Sequence, residues 1–273
     1  MQWIPLGRHN PRVSELRAIA RGDRENLTLV DGRKLVEDLL KKGFSPVAVF
    51  ASPAVAEALG RATLWLHSTK HSSCFTLAEE VLNQLAPTKH TQGVLAVFPI
   101  PSYQSIAGPL LLYLDRIQDP ANVGAIMRVA AAFGVSGVAC SPGTADPFSP
   151  KAIRASAGHA FSLPVMRRLD WATFRQRVAA VHHVVAATAT GGCDGFAWQP
   201  SLPMVLVLGN EGQGLSPEID DAVDQRVTIP LERGVESLNV AVACGILLAR
   251  LRGLEPGPIL GNEGGSHDST QRY

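Results

Sequence analysis

The sequence predicts a two-part α/β protein: a small α/β domain, then a larger domain built on a mostly parallel sheet with helices on both sides. Three observations carry this. Short apolar runs of strand length alternate with helix-length segments along most of the chain. A stretch with linker chemistry, rich in proline and running from Pro99 to Pro109, divides it. The chain's 273 residues suit two domains, and a 46% hydrophobic content can build a core in each.

Residues 1 to 24 read as an arm with a short basic helix. Leu27 to Val30 reads as a strand, Arg33 to Lys42 as a helix and Val47 to Phe50 as a second strand. Pro53 to Leu59 follows as a helix with Ser52 as its cap, because a serine hydroxyl satisfies an open N–H at a helix start. A helix over Leu77 to Leu85 and a strand over Gly93 to Phe98 complete the first domain, residues 1–98. After the linker at 99–109, strands near 110, 136, 184, 204 and 226 alternate with helices near 123–133, 150–157, 171–181, 217–222 and 238–251. Beyond Gly253 the composition turns to Gly, Pro, Ser and Asn, which predicts a disordered tail over 253–273.

A net charge of +1 gives no overall basic signature. Locally, Arg8, Arg12, Arg17, Arg21 and Arg24 face only Glu15 and Asp23 in sequence, and Lys151, Arg154, Arg167, Arg168, Arg175 and Arg177 face only Asp170. Either cluster reads as a solvated face or as a patch that tracks phosphates. The four cysteines, Cys74, Cys140, Cys193 and Cys244, are too scattered for a zinc or redox pair. No metal site is expected. With neither an amino-terminal signal pattern nor a run of eighteen apolar residues, a soluble cytoplasmic protein without a membrane span is expected, or an organellar one if a transit segment was trimmed.

Three strand-to-loop transitions concentrate the chemistry. Leu110 to Asp115 leads into Asn122-x-Gly124-x3-Arg128, and from Pro120 to Ala145 Arg128 is the one charge. Met204 to Leu208 leads into Gly209-x-Glu211-Gly212-x-Gly214-Leu215, where Glu211 is the one charge between Asp194 and Glu218. Val227 to Ile229 leads into Pro230-x6-Ser237-Leu238-Asn239-Val240 and a helix apolar nearly all round up to Arg250. Ser237 alone would read as an N-cap. Three such loops at the carboxyl ends of strands, each with isolated functional groups, mark a ligand site of an open α/β sheet.

In order and spacing these motifs resemble those of the SpoU/TrmH-type RNA ribose 2′-O-methyltransferases of the SPOUT superfamily. The stretch from Asp146 through Gly158 is also similar. The resemblance is strong over residues 108–252 and weak over residues 8–98, whose α/β pattern resembles a ribosomal-protein-like RNA-binding domain. One departure is that the family usually has Gly three residues after the third motif's proline, where this chain has Arg233, with Gly234 next. The resemblance implies a SPOUT methyltransferase domain over 110–252 with a carboxy-terminal trefoil knot, against the general rule that chains are unknotted. It also implies a homodimer paired through helices near the knot, with Arg128 close to the subunit boundary.

The implied chemistry is methyl transfer from S-adenosyl-L-methionine to a ribose 2′-hydroxyl of RNA, with ribosomal RNA favoured over transfer RNA. A non-catalytic RNA-binding relative is the other alternative, and a nucleotide-binding oxidoreductase or phosphotransferase is disfavoured because no phosphate loop or dinucleotide fingerprint is present. By resemblance, Arg128 holds an RNA phosphate and takes part in removing the 2′-proton. Asn122 orients Arg128 or the ribose, Glu211 pairs with backbone donors or Arg128, and Ser237 and Asn239 position the substrate. Leu208, Gly209, Ile229 and Leu238 match the positions that enclose the methyl donor, with Gly209 allowing close backbone approach. His159, a lone histidine after a helix end, reads as structural.

Overall fold

The computed structural model describes residues 2–86, 91–178 and 182–253. The expected tail beyond Gly253 and the end of the helix expected over 171–181 lie outside the described residues. The first unit runs β1 (Trp3–Pro5), α1 (Pro11–Arg21), β2 (Leu27–Asp31), α2 (Arg33–Lys41), β3 (Ala48–Ala51), α3 (Pro53–Gly60), α4 (Thr63–Ser68), β4 (Ser73–Thr76), α5 (Glu79–Leu85) and β5 (Val94–Pro99). Its strands form a five-stranded sheet in the order β1-β4-β3-β5-β2, with β5 antiparallel to both its neighbours.

The amino-terminal arm is not free. Trp3–Pro5 adds a parallel edge strand beside β4, and α1 buries Val13, Leu16 and Ile19 in a core with Leu29, Phe50 and Phe75. Asn10 caps α1 by accepting from the Arg12 N–H, Pro11 opens it, and Gly22 ends it at φ 85. The helix expected from Leu77 begins at Glu79, because the Leu77 N–H is committed to the Ala51 carbonyl. Ser52 occupies the N-cap of α3 as expected but makes no side-chain capping bond.

The second unit runs β6 (Leu110–Leu114), α6 (Pro120–Ala132), β7 (Gly137–Cys140), α7 (Pro150–Ala155), a 3-10 turn (His159–Ser162), β8 (Val165–Met166), α8 (Trp171–Val178), β9 (His183–Ala187), β10 (Cys193–Asp194), β11 (Met204–Leu208), α9 (Pro217–Asp220), β12 (Gln225–Thr228) and α10 (Val240–Arg252). All pairings in its seven-stranded sheet, order β10-β12-β9-β11-β6-β7-β8, are parallel. Residues of β6 and β11 alternate between two cores, as a pleated strand requires. Leu112, Leu114, Leu206 and Leu208 pack with Ile126 and Met127 of α6 and with Leu247 and Leu248 of α10. Leu111, Tyr113, Val205 and Val207 pack on the other face with Trp171, Phe174 and Ile219.

The two units share a buried seam. The Thr28 hydroxyl donates to the Phe148 carbonyl at 2.6 Å, and the rings of Phe44, Phe98 and Phe148 meet Phe161 edge-on. Burying a phenylalanine is worth about 2 kcal/mol, so this cluster outweighs the exposed ion pairs around it. Those pairs nonetheless redefine the second basic cluster. Lys151 binds Asp119 at 2.8 Å, Arg154 faces Asp31 at 3.7 Å, Arg167 binds Asp146 at 2.9 Å and Arg168 binds Glu25 at 2.7 Å. These cations are neutralised by carboxylates that are distant in sequence, so they do not form an open phosphate-tracking patch.

Candidate active site

Three loops meet at the carboxyl ends of β9, β11 and β12. They and the start of α10 enclose a cleft of about 540 Å³, within the usual range for small-molecule sites. Leu208, Gly209, Glu211, Ile229, Ser237, Leu238 and Asn239 all line it.

The loop after β11 is tied into one shape by its own backbone. Asn210 and Gly214 exchange hydrogen bonds of 3.0 and 2.9 Å, and Asn210 Oδ1 accepts the N–H groups of Gly212 and Gln213. The Asn210 amide in turn donates to the Arg116 carbonyl at 2.8 Å. A Cβ on Gly209 would come within 2.8 Å of the Gly214 backbone. The absent side chain at Gly209 therefore permits the loop's own closure, and Gly209 also lines the cleft where close approach of the methyl donor is expected. Gly124 is likewise a packing residue, since a Cβ there would lie 2.3 Å from the Ala152 carbonyl oxygen and lock α6 away from α7.

The loop after β12 turns through Arg233 at φ 57 and Gly234 at φ 71. Arg233 thus adopts a left-handed conformation that costs a non-glycine residue about 1 kcal/mol. Asn239 caps α10, its Oδ1 accepting from Ala241 at 3.0 Å and from Val242 at 3.4 Å. The cap is therefore Asn239 and not Ser237, which stands exposed on the cleft wall.

With Asn239 Oδ1 committed to those N–H groups, its Nδ2 must donate. It does so to Asn122 Oδ1 at 2.9 Å, and Asn122 Nδ2 donates to Glu211 Oε1 at 2.7 Å. The helix cap thereby fixes both amide orientations in this Asn239–Asn122–Glu211 chain.

Arg128 is not brought into this chain. It lies six residues after Asn122 on α6, about 9 Å along the axis and about a third of a turn around it. It is exposed and makes neither a hydrogen bond nor an ion pair among the described residues. The expected alternative of a Glu211–Arg128 pair is not seen, and Glu211 holds Asn122.

Several organising residues escaped the sequence reading. Ala187, Thr188 and Ala189, at the end of β9, form one cleft wall; their small size after an apolar strand was the available signal. Asp115, buried at the end of β6, accepts the Ser216 N–H at 2.6 Å and ties the loop after β11 to the sheet. A carboxylate closing an all-apolar strand was its signal. Burial pushes the Cys244 thiol up to about 12, so this residue near the cleft is an inert packing group.

Residues 109–249 match the SpoU rRNA Methylase family, and residues 10–96 match the MRM3-like substrate binding domain. The chain is 32% identical over 234 residues to the 23S rRNA (guanosine(2553)-2′-O)-methyltransferase RlmP of Bacillus subtilis, covering 84% of this chain and 90% of that protein. Its fold is similar to the AdoMet-bound rRNA methyltransferase of Sinorhizobium meliloti, with a TM-score of 0.78 at 30% identity, covering 93% of this chain and 98% of that one. It is also similar to the SpoU methyltransferase AviRb of Streptomyces viridochromogenes in complex with AdoMet, with a TM-score of 0.73 at 25% identity over 89% of this chain and 97% of that one. The match over more than half its length, in the region that builds the cleft, places this chain in the SpoU rRNA methylase family.

Proposed function

We propose that the protein transfers a methyl group from S-adenosyl-L-methionine to a ribose 2′-hydroxyl of ribosomal RNA. The observation that carries this reading is the three-loop cleft with the Asn239–Asn122–Glu211 chain beside it. The cleft fits the donor by the chemistry of its walls. Leu208, Ile229, Leu231, Leu238 and Leu247 offer apolar surface for a flat heterocycle, and the Ser237 hydroxyl and the Glu211 carboxylate stand on the same walls for its polar edges. When bound there, S-adenosylmethionine supplies an electrophilic methyl group on a sulfonium.

The chain's own residues have two tasks, alignment and proton removal. A ribose hydroxyl is a poor nucleophile until its proton leaves as the new bond forms. Asn122 and Asn239 have fixed orientations and present a rigid polar rim for the ribose, and Ser237 adds an exposed hydroxyl to the same wall. Arg128 holds a backbone phosphate of the RNA. A guanidinium stays protonated, so a phosphate oxygen it positions is the better proton acceptor.

Residues 1–98 serve as the RNA substrate-binding domain, 99–109 as a linker and 110–252 as the methyltransferase domain. The substrate-binding-domain match and the ribosomal substrate in RlmP's name support this division and favour ribosomal over transfer RNA. We read the chain as threading a trefoil knot where the loops after β11 and β12 lie side by side. We also read it as a cytoplasmic homodimer paired through α10, whose Val242 is 51% exposed with Ile246 and Ala249 following at helical spacing. Among the described residues no helix is long and apolar enough to cross a membrane.

Two measurements test the reading. Titration calorimetry should show S-adenosylmethionine binding, and ribose-methylation mapping of total RNA from cells with and without the protein should show one or a few ribosomal positions that depend on it. Binding without any protein-dependent ribose methylation would indicate a non-catalytic relative, and a position in transfer RNA would redirect the substrate.

A further inference from the structure

Arg128 has company on its own side of α6. The 3-10 turn that starts at His159 sits between α6 and α2. Gly158, in the left-handed conformation at φ 76, lies so close to Leu35 and Leu39 of α2 that a Cβ there would meet them at 3.0 and 3.3 Å. Phe161 of the same turn packs on Phe44, just past the end of α2, with centroids 5.3 Å apart. This packing brings the turn of His159 against the end of α2, so that the charges of Lys42, the residue that ends α2, and of Arg128 on α6 both act on the imidazole.

The carboxylates on the surrounding elements are committed elsewhere. On α2, Glu37 pairs with Arg33 and Asp38 with Lys41. At α7, Lys151 is held by Asp119 and Arg154 by Asp31. Lys42, His159 and Arg128 form no ion pair among the described residues. Lys42 and Arg128 are exposed and His159 is half-buried. Three cationic or protonatable groups from both units thus act on one another near the seam, with no ion-pair partner among the described residues. Such an arrangement is unfavourable until an anion arrives.

We propose that Lys42, His159 and Arg128 together seat a phosphate of the RNA backbone, so that the substrate crosses the seam from the small sheet to α6. This assignment rests on the RNA-methyltransferase reading above and adds to it two positioning residues, Lys42 and His159, and a path for the RNA strand. The cluster has a signature that a purely structural role lacks. Burial first, then the charges of Lys42 and Arg128, hold the His159 imidazole below its ordinary value of 6.5. A phosphate among the three groups favours the protonated ring, so RNA binding takes up a proton and tightens as the pH falls toward and below 6.5.

The test uses the full-length protein and unmodified ribosomal RNA transcripts, with affinity measured against salt and pH. Lys42→Ala should weaken binding by about threefold to tenfold and reduce the log–log salt slope by about one. Lys42→Glu, which supplies the missing negative charge, should weaken it further. His159→Gln should abolish the tightening at low pH. Calorimetric affinity for S-adenosylmethionine should be unchanged in all three variants, which also reports that each is folded. Wild-type RNA affinity, salt slope and pH dependence in the variants would overturn the assignment. So would loss of the dimer in light scattering on Lys42→Glu, because the cluster would then be a subunit contact. A wild-type protein that binds the methyl donor but no ribosomal RNA would instead overturn the substrate reading, and this proposal with it.

Discussion

Two polar clusters flank α6, and they are built on opposite principles. On one side Asn122 joins Glu211 and Asn239 in a chain where each amide has its donor and acceptor role assigned. On the other side Arg128 stands with His159 and Lys42, and none of the three has a counter-charge among the described residues. The first cluster is complete before any ligand arrives, which keeps its geometry independent of substrate. The second is completed by what binds to it. The difference supports the proposed placement of the two substrates. Preorganised amides anchored on a carboxylate, with apolar walls beside them, suit a small cofactor and the ribose next to it, whereas an uncompensated cationic seam suits the polyanion.

The sharpest way to break this division is Arg128→Ala. Arg128 makes neither a hydrogen bond nor an ion pair among the described residues, so stability should change little. Methylation under single-turnover conditions should fall by about a hundredfold to a thousandfold while donor affinity stays near wild type. Arg128→Lys should rescue only part of the loss, since a point charge lacks the planar fork. Normal turnover by Arg128→Ala would remove the seam from the chemistry.

The converse variant acts on the cleft alone. Ala243 lies half-buried on the cleft wall, and Ala243→Leu should fill donor space and lower S-adenosylmethionine affinity by about tenfold to a hundredfold in calorimetry, leaving RNA affinity intact. It is a cleaner probe than Gly209→Val, because a side chain at Gly209 strikes the Gly214 backbone and should unfold the loop.

The contrast between these two small-residue positions, Gly209 and Ala243, shows what the sequence made legible. The all-apolar β6 and β11, the loops that follow them and the cleft residues those loops supply could be read directly, whereas the wall at Ala187, Thr188 and Ala189 could not. The reason glycine stands at Gly209 could not, because the contact that forbids a side chain comes from five residues further along a folded loop. The short strands β1, β4, β8 and β10, of two to four residues, hold too few side chains to show a period. Carboxylates that neutralise Arg154 and Arg168 were equally hidden, because Asp31 and Glu25 lie in the other unit of the fold.

Smaller effects sharpen the comparison further. Thr28→Val removes the hydroxyl that holds the Phe148 carbonyl across the seam and leaves a buried acceptor unpaired, which should cost about 1–3 kcal/mol in denaturant unfolding. If the seam carries the RNA, this variant should also weaken RNA binding more than donor binding. Asn122→Ala should cost less stability, about 1 kcal/mol, because Glu211 and Asn239 can turn to water. Its methylation rate should fall by about tenfold, with unchanged rates indicating that the amide chain is scaffolding only.

The central claim is that the acceptor is a ribose 2′-oxygen. It is tested most directly by incubating the protein with S-adenosylmethionine carrying a labelled methyl group and an unmodified ribosomal RNA transcript, then hydrolysing the RNA in alkali. A 2′-O-methyl group blocks cleavage of the adjacent phosphodiester, so the label should be recovered in an alkali-resistant dinucleotide. Label recovered on a mononucleotide base, or no transfer by a protein that binds both the donor and the transcript, would contradict the account.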